Sequence, residues 1–379
     1  MTKKAFPPKI PILWVTTTLK IWQVKSQAKK LAKYSDLQEQ LGNELPINAA
    51  RIKFIVLLIT ALIKVQSVNF ERLSQGFDNN VELSSNLRRI QRFFAHFDLN
   101  SDLIARLLFK ILPFGGPYGL TLDRTNWKYG QTNINILVLG VVYKGLSLPI
   151  LWTFLGDKRG NSDQLERIAL LQRFIDLFGV ASIDFLTADR EFVGQQWWTF
   201  LIGHKIRFFI RLRANMHVTV PHKGTVKAFW LFNSLALNKA FFYPKIVQIS
   251  GNWVYLSGMK FVNDKGKIEF LIVASFQKTD DALVYYKQRW QIETMFKAFK
   301  TTGFNLEDTH LTDYKRLDKL LMLTALAFVW AYKVGIYRDK EIKNIKIKKH
   351  VRLAKSLFAY GLEWLAQCLI NSFNDKTEK

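Results

Sequence analysis

The chain has 379 residues and a hydrophobic fraction of 49%, which is enough for a sizeable core shared among two or three domains. Lys and Arg number 55 against 30 Asp and Glu, and the net charge of +25 favours a polyanionic partner, nucleic acid rather than a membrane surface. Cys368 is the only cysteine, so a disulfide within the chain and a cysteine-based zinc site are excluded, as is typical of the reducing cytosol.

The N-terminal part of the chain is predicted to be helical, from residue 18 to about residue 112. The first 20 residues lack the long apolar run and the small-residue cleavage site of a signal peptide, so we expect them to be unprocessed. The apolar runs at 55–63 and 320–332 are both shorter than the ~20 residues that span a bilayer. We therefore expect two core helices and no membrane contact.

One of the N-terminal helices, over residues 84–97, is strongly basic. Ser84 or Ser85 is expected as its N-cap. Arg88, Arg89 and Arg92 lie beside or opposite its apolar positions. A basic helix of a helical domain can lie in a groove of DNA, so these arginines are candidate DNA-binding residues. A surface helix whose arginines meet only water is the alternative.

A cluster of Pro and Gly at 113–119 predicts a domain boundary, after which strands and helices alternate. The first three strands are expected to form an antiparallel meander with a hairpin turn at 144–145. The next helix is expected to begin at Asn161 or Ser162 and to end at Gly179. The predicted elements are strands 120–123, 134–143 and 146–156, helix 161–179, strand 183–189, a short helix at 194–203 and strand 206–213.

The remaining segments differ in character from this β-β-β-α-β-α-β series. Short strand-like runs separated by Gly and Asn-Asp turns predict a β-rich insertion over 214–280. A helix over 281–300 follows, and a helical, basic C-terminal part ends the chain.

The helix over 281–300 carries a polar stripe beside an apolar face. Its apolar face contains Tyr285, Ile292, Met295, Phe296 and Phe299. Its polar stripe, about 80° wide on a regular helix, consists of Tyr286, Arg289, Glu293, Lys297 and Lys300. A solvated surface with ordinary ion pairs of Glu293 is one interpretation of this stripe, and a functional site is the other.

Two aspartates strengthen the functional interpretation, because Asp123 is expected to end the first strand and Asp189 the fourth. Ligand sites gather at the carboxyl ends of neighbouring strands, so the two carboxylates are expected to meet there. Together with Glu293 they can hold two Mg²⁺ ions, with Mn²⁺ as a substitute. Two such ions stabilise the attacking and leaving oxygens of an in-line displacement at phosphorus.

These motifs resemble those of the bacterial DDE transposases. The segment Tyr286-x2-Arg289-x3-Glu293-x6-Lys300 is similar to the Tyr-Arg-Glu-Lys signature of the insertion-sequence-four family. Asp123 in "LDRTNW" and Asp189 in "ADREF" resemble the first two catalytic blocks of that family. The resemblance covers about residues 80 to 335.

The resemblance implies an α/β fold: an RNase H-like core with a mixed sheet, in the order β-β-β-α-β-α-β-α, interrupted by a β-rich insertion. The implied division is a helical DNA-binding domain at 1–112, a catalytic core at 113–213 and 281–335, the insertion at 214–280, and a basic helical C-terminal part at 336–379.

The resemblance also implies a reaction and a set of contacts. A cut-and-paste transposase works as a homodimer on the paired double-stranded ends of its element. It nicks one strand, forms and reopens a hairpin, and joins the 3′ ends to target DNA. By similarity Asp123, Asp189 and Glu293 bind the metals, and Tyr286, Arg289 and Lys300 contact phosphates near the cut, with Lys297 beside them. Trp253 in the insertion is the candidate for stacking on a flipped base, and burial in the insertion's own core is the alternative.

Two other functions stay open. One is an RNase H-like metal-dependent nuclease or resolvase that cuts DNA without rejoining it. The other is a non-catalytic DNA-binding relative that acts as a regulator. A cytoplasmic, nucleoid-associated bacterial protein is expected in each case.

Overall fold

The computed structural model describes residues 29–156, 160–348 and 353–377. The chain divides into two compact units. The helical unit contains the described residues up to Gly115 together with those from Lys297 onward, and the sheet unit runs from Gly116 to Phe296. The predicted helical region before residue 29 and residues 349–352 of the basic C-terminal part lie outside the described residues. The four-part domain division stays a prediction.

The secondary structure confirms the predicted order of elements. The N-terminal helices are α1 (Lys29–Glu44), α2 (Ala49–Val65), α3 (Phe70–Gln75), α4 (Leu83–His96) and α5 (Ser101–Lys110). They are followed by β1 (Tyr118–Tyr129), β2 (Thr132–Tyr143), β3 (Leu146–Phe154), α6 (Gln164–Phe178), β4 (Ile183–Ala188), α7 (Gln195–Gly203) and β5 (Phe208–Leu212). The insertion contains β6 (His217–Val220), β7 (Gly224–Lys227), β8 (Ala240–Ile249), β9 (Asn252–Val262) and β10 (Ile268–Ser275). The last helices are α8 (Ala282–Lys287), α9 (Trp290–Lys297), α10 (Tyr314–Tyr337) and α11 (Leu357–Thr377).

The strands form one mixed sheet of ten strands, in the order β3-β2-β1-β4-β5-β10-β9-β8-β6-β7. β4 pairs in parallel with both β1 and β5, and the other neighbours are antiparallel. The insertion extends the core sheet, because β10 pairs with β5 and places Ile272 opposite Leu212. The predicted mixed α/β class is confirmed.

Helices cover both faces of this sheet. α7 packs on one face, where the rings of Trp198 and Phe208 lie 5.4 Å apart. α8 packs on the other face, where Tyr285 stacks on Phe209 with ring centroids 4.6 Å apart. Consecutive residues of a strand point to opposite faces, so Phe208 and Phe209 place the two helices on opposite sides. We call the face under α8 the α8 face.

The cap of α6 lies one or two residues later than predicted. Asp163, rather than Asn161 or Ser162, is the N-cap, and its side chain accepts a bond of 2.8 Å from the N–H of Glu166. The Glu166 carboxylate accepts a bond of 2.8 Å from the N–H of Asp163, which completes a capping box. Gly179 follows the last turn, as predicted.

The start of α4 also differs from the prediction. Glu82 is the N-cap and makes no side-chain capping bond, so Ser84 and Ser85 lie inside the first turn. The helix itself is confirmed, with Ile90, Phe93 and neighbouring apolar residues buried.

In the helical unit, helices from both ends of the chain pack together. α10 contacts α2, α4, α5 and α11, and α11 also contacts α2. The backbones of α10 and α11 approach so closely that a Cβ atom on Gly335 would overlap the carbonyl group of Leu357. A Cβ atom on Gly361 would likewise overlap the carbonyl oxygen of Ala331. This crossing therefore requires glycine on both helices.

One helix among the described residues, Tyr314–Ile342, is long and apolar enough to cross a membrane by length and composition alone. Of its most apolar window, 89% is buried inside the protein. Such burial is typical of a core helix, in agreement with the prediction for residues 320–332.

Candidate active site

Asp123 and Asp189 lie at the same end of two paired strands. β1 and β4 pair in parallel as far as Leu122 and Ala188, and each aspartate is the next residue along the chain. Asp189 follows the end of β4, as predicted. The prediction that Asp123 ends its strand is wrong, because β1 stays paired with β2 as far as Tyr129. The parallel ladder, not the end of β1, sets the two aspartates side by side.

The predicted single helix over 281–300 is interrupted at Arg289. Between α8 and α9 the N–H groups of Gln288 and Arg289 donate to the carbonyl oxygens of Tyr285 (3.1 Å) and Tyr286 (2.9 Å). Bonds to the third residue back, instead of the fourth, wind the backbone more tightly here. After α9 the chain passes into a π-helical turn, Ala298–Thr302. The five polar residues therefore do not share one face of a regular helix.

Burial separates these five residues into two groups. Tyr286 and Arg289 are only 4% and 5% exposed, so the interpretation as a solvated surface is wrong for both. Glu293 keeps 37% of its side chain exposed. Lys297 is exposed at the end of α9, and Lys300 forms an ion pair of 2.8 Å with Glu307. Both lysines belong to the helical unit.

The guanidinium group of Arg289 joins the carboxylates. Its Nη1 donates to Oδ2 of Asp123 at 3.0 Å, and its Nη2 donates to Oε1 of Glu293 at 2.6 Å. Its Nε donates to the hydroxyl of Tyr286 at 3.2 Å, and that hydroxyl donates to Oδ1 of Asp189 at 3.3 Å. The three predicted acids thus belong to one hydrogen-bonded network inside the sheet unit.

The electrostatics follow from burial and from mutual proximity. The pKa of Asp123 is raised to about 6, mainly by burial and to a smaller extent by the charges of Glu191 and Asp189, against the lowering effects of the Arg124 N–H group and Arg289. Burial alone would lower the pKa of Arg289, but Tyr286 and the surrounding carboxylates raise it overall. Arg289 is therefore a permanent cation beside Asp123, a carboxylate that resists ionisation.

Two further residues of this site were missed at the sequence level. Arg124 donates from Nε and Nη2 to the carboxylate of Glu191 at 3.4 and 3.3 Å, and from Nη1 to Oδ1 of Asn135 at 3.3 Å. This bridge connects β1 to the turn after Asp189. The available signal was the arginine that follows each aspartate in "LDRT" and "ADRE", together with Glu191 two residues after Asp189.

The donor set suits a hard divalent cation, because all three acids offer carboxylate oxygens. Within the described residues, however, no three His, Cys, Asp or Glu side chains are close enough together to hold a metal ion. The guanidinium group between Asp123 and Glu293 accounts for this spacing. The residue types therefore fit Mg²⁺, while Arg289 occupies one oxygen each of Asp123 and Glu293 in this structure.

Trp253 lies on the α8 face, the side of the sheet that carries Asp123. Paired residues share a face, and the pairs Leu122–Ala188, Ala188–Ile210, Ile210–Ala274 and Ala274–Leu256 define one row across the sheet. This row contains Ile210, so it faces away from Phe209 and α8. Asp123 and Trp253 each lie an odd number of residues along their strands from a member of the row, so both point to the α8 face. Trp253 is 47% exposed, so the alternative of burial in the insertion's core is wrong.

The predicted DNA-binding arginines Arg88, Arg89 and Arg92 are exposed on α4 in the helical unit. Ile90 and Phe93 turn the other side of α4 to the core. Exposure alone is compatible with both a DNA-binding helix and a helix whose arginines meet water.

Comparison with known proteins gives a match to a protein family. Residues 115–330 match the model of the transposase DDE domain. No curated protein matches the chain. The matched segment contains Asp123, Asp189 and Glu293, and it carries the mixed sheet expected of an RNase H-like fold. Because the match covers more than half of its length, the chain belongs to the family of transposases with a DDE domain.

Proposed function

We propose that this protein is a cut-and-paste DNA transposase of the insertion-sequence-four family. The observation that carries the proposal is the hydrogen-bonded network in which Arg289 and Tyr286 join Asp123, Asp189 and Glu293. The spacing of Tyr286, Arg289 and Glu293 supports the family, and the net charge of +25 suits a polyanionic substrate. The protein acts as a homodimer on paired element ends in the bacterial cytoplasm, at the nucleoid.

The reaction consists of phosphoryl transfers at one site: nicking, hairpin formation, hairpin opening and strand transfer. Asp123, Asp189 and Glu293 would hold two Mg²⁺ ions, for which Mn²⁺ could substitute. When bound, these ions lower the pKa of the attacking water or hydroxyl and stabilise the leaving oxygen.

The chain's own residues position the substrate. Tyr286 fixes one oxygen of Asp189 through its hydroxyl, and this leaves the other oxygen available. Arg289 supplies a permanent positive charge beside the carboxylates, where it can contact a phosphate of the cut strand. Lys300 and Lys297 supply further phosphate contacts. Trp253, exposed on the α8 face, stacks on the base that leaves the duplex as the hairpin closes.

We expect Asp123→Asn, Asp189→Asn and Glu293→Gln each to abolish cleavage of a labelled element end while binding of that end persists. Each change removes a metal ligand and adds no negative charge that would repel DNA. Asp264→Asn, in the exposed turn between β9 and β10, is the matched control and should cut normally. Gel-shift and cleavage assays on the same preparations measure both properties.

The products separate the proposal from its alternatives. Hairpins and joined products support a transposase. Nicked or cut ends without hairpin or joining would indicate a nuclease or resolvase, and binding without any product would indicate a non-catalytic relative. If one of the three variants cuts at nearly the wild-type rate, that residue is not a metal ligand.

A further inference from the structure

A cationic groove lies between α2 and α4 in the helical unit. It encloses a cavity of about 590 Å³. α2 contributes Arg51 and Phe54 to its lining, and α4 contributes Arg89, Arg92, Phe93 and His96. The lining contains no acidic residue. Its basic side chains are exposed, so the groove is open to a large ligand.

Two arginines of this groove are held by aromatic rings in a reciprocal arrangement. Arg51 of α2 lies over the ring of Phe97 at the end of α4, with its Cζ atom 5.1 Å from the ring centroid. Arg89 of α4 lies over the ring of Phe54 of α2, at 5.2 Å. Each helix thus orders an arginine of the other. Such a contact holds the guanidinium group without a hydrogen bond, so its N–H donors remain available to a ligand.

The surroundings leave these cations uncompensated. Within the described part of the chain, Arg51, Arg89 and Arg92 form no ion pair with a carboxylate. Beneath them, the rings of Phe54 and Phe93 lie 5.2 Å apart in a packed aromatic floor. A rigid floor with a positive rim favours a ligand with a continuous row of negative charges.

We propose that this groove binds the sugar–phosphate backbone of double-stranded DNA. The proposal rests on the DNA-binding function proposed above and identifies which residues position the duplex. Exposed cations drawn from two helices, above an aromatic floor, suit contacts with phosphate oxygens, which carry no sequence information. The groove therefore adds Arg51 and His96 to the predicted DNA-binding residues Arg89 and Arg92.

The test compares arginine variants of the full chain. Arg51→Ala and Arg89→Ala should each weaken DNA binding about 10-fold and reduce the salt dependence of binding by about one phosphate contact. The loss should be equal for an element end and for random DNA, because a backbone contact carries no sequence information. Lys53→Ala removes an exposed charge from the side of α2 that does not line the groove, and it should leave both the affinity and the salt slope nearly unchanged.

Three results would overturn the assignment: a Lys53→Ala loss as large as that of Arg51→Ala, an unchanged salt slope in Arg51→Ala and Arg89→Ala, or a loss confined to element ends. The melting temperature of each variant is measured first, and Arg89→Lys, which keeps the charge, should recover part of the affinity. Cleavage by wild type on the same DNA is recorded in parallel. If wild type cuts the DNA and the arginine variants bind it as well as wild type does, only the proposed role of the groove is rejected. If wild type binds no DNA, the proposed function is rejected as well.

Discussion

Arg289 is buried among three acids. We therefore expect two states of the site, one in which the guanidinium group holds the carboxylates and one in which a metal ion does, and a substitution of Arg289 distinguishes them. Arg289 contacts Asp123 and Glu293 at hydrogen-bonding distance, and burial makes the charge of Asp123 costly without a cation nearby. One positive group is enough to hold these carboxylates together. A divalent cation at the same place would compete with the guanidinium group for the same oxygens.

The Arg289→Ala variant is expected to bind Mn²⁺ more tightly than wild type, because the metal no longer displaces a resident cation. In EDTA the same variant should lose about 3 kcal/mol of unfolding free energy, since it leaves the carboxylates without a counter-charge. Calorimetric titration with Mn²⁺ and urea unfolding measure the two effects. Lys287→Ala, an exposed charge at the end of α8, is the control and should change neither. Weaker Mn²⁺ binding by Arg289→Ala would show that Arg289 organises the metal site instead of competing for it.

At the scale of elements, the patterns of apolar residues predicted the strands and helices better than their ends. The order of strands and helices follows from alternation and from Gly or Pro punctuation, which act locally. The end of β1 does not follow from such local patterns, because the residues after Asp123 remain in the strand through their pairing with β2. The turn at Arg289 was also hidden, since 281–300 has helical spacing throughout. At this turn the side chains of Tyr286 and Arg289 contact Asp189 and Asp123, and such contacts join residues far apart in sequence.

The candidate site, like the elements, was predicted only in part. The acids could be selected because each follows or faces an apolar segment in a recognisable spacing. The burial of Tyr286 and Arg289 could not be predicted, because the same spacing suits an exposed stripe. The Arg124–Glu191 bridge lay beyond reach as well, because it depends on the turn after β4.

A buried lysine on α10 gives a prediction at this scale. Burial lowers the pKa of Lys333 from 10.5 to about 8, so its charge is costly in the folded protein. The unfolded chain therefore holds more protons between pH 8 and pH 10.5, and stability from this group rises with pH across that interval. Below pH 8 Lys333 is charged in both the folded and the unfolded chain, so the full cost of burying its charge is present. Lys333→Met should thus raise the unfolding free energy by about 1–3 kcal/mol at pH 7, and the gain should shrink as the pH approaches 10.5.

Urea unfolding at pH 7 and pH 10 measures this difference. Lys315→Met, an exposed substitution on the same helix, is the control and should be nearly neutral at both values. A Lys333→Met variant that is less stable than wild type at pH 7 would show that the ammonium group is needed for the packing of α10.

At the scale of the whole molecule, the helical unit is assembled from segments that are distant in sequence. α10 and α11, near the C-terminal end, pack on α2, near the N-terminal end, while the sheet unit between them is continuous. A division read along the sequence assigns the two sets of helices to separate parts. Only the pattern of contacts reveals that they bury a common apolar surface.

This assembly predicts the behaviour of truncated chains. A fragment of residues 116–379 retains α10, whose most apolar window is 89% buried in the intact protein, but lacks the helices that cover it. We expect this fragment to aggregate and to bind a hydrophobic dye, because an apolar patch of that size associates in water. The fragment 116–296, which contains the sheet unit alone, is the matched control and should remain monomeric with a mixed α/β circular dichroism spectrum. Size-exclusion chromatography and dye fluorescence distinguish the two fragments.

A monomeric 116–379 fragment that unfolds cooperatively and binds no dye would mean that α10 and α11 form a stable unit without α2. End recognition could then be assigned by deletion of residues 1–115, whereas under the expected outcome it must be mapped by point substitutions in the full chain.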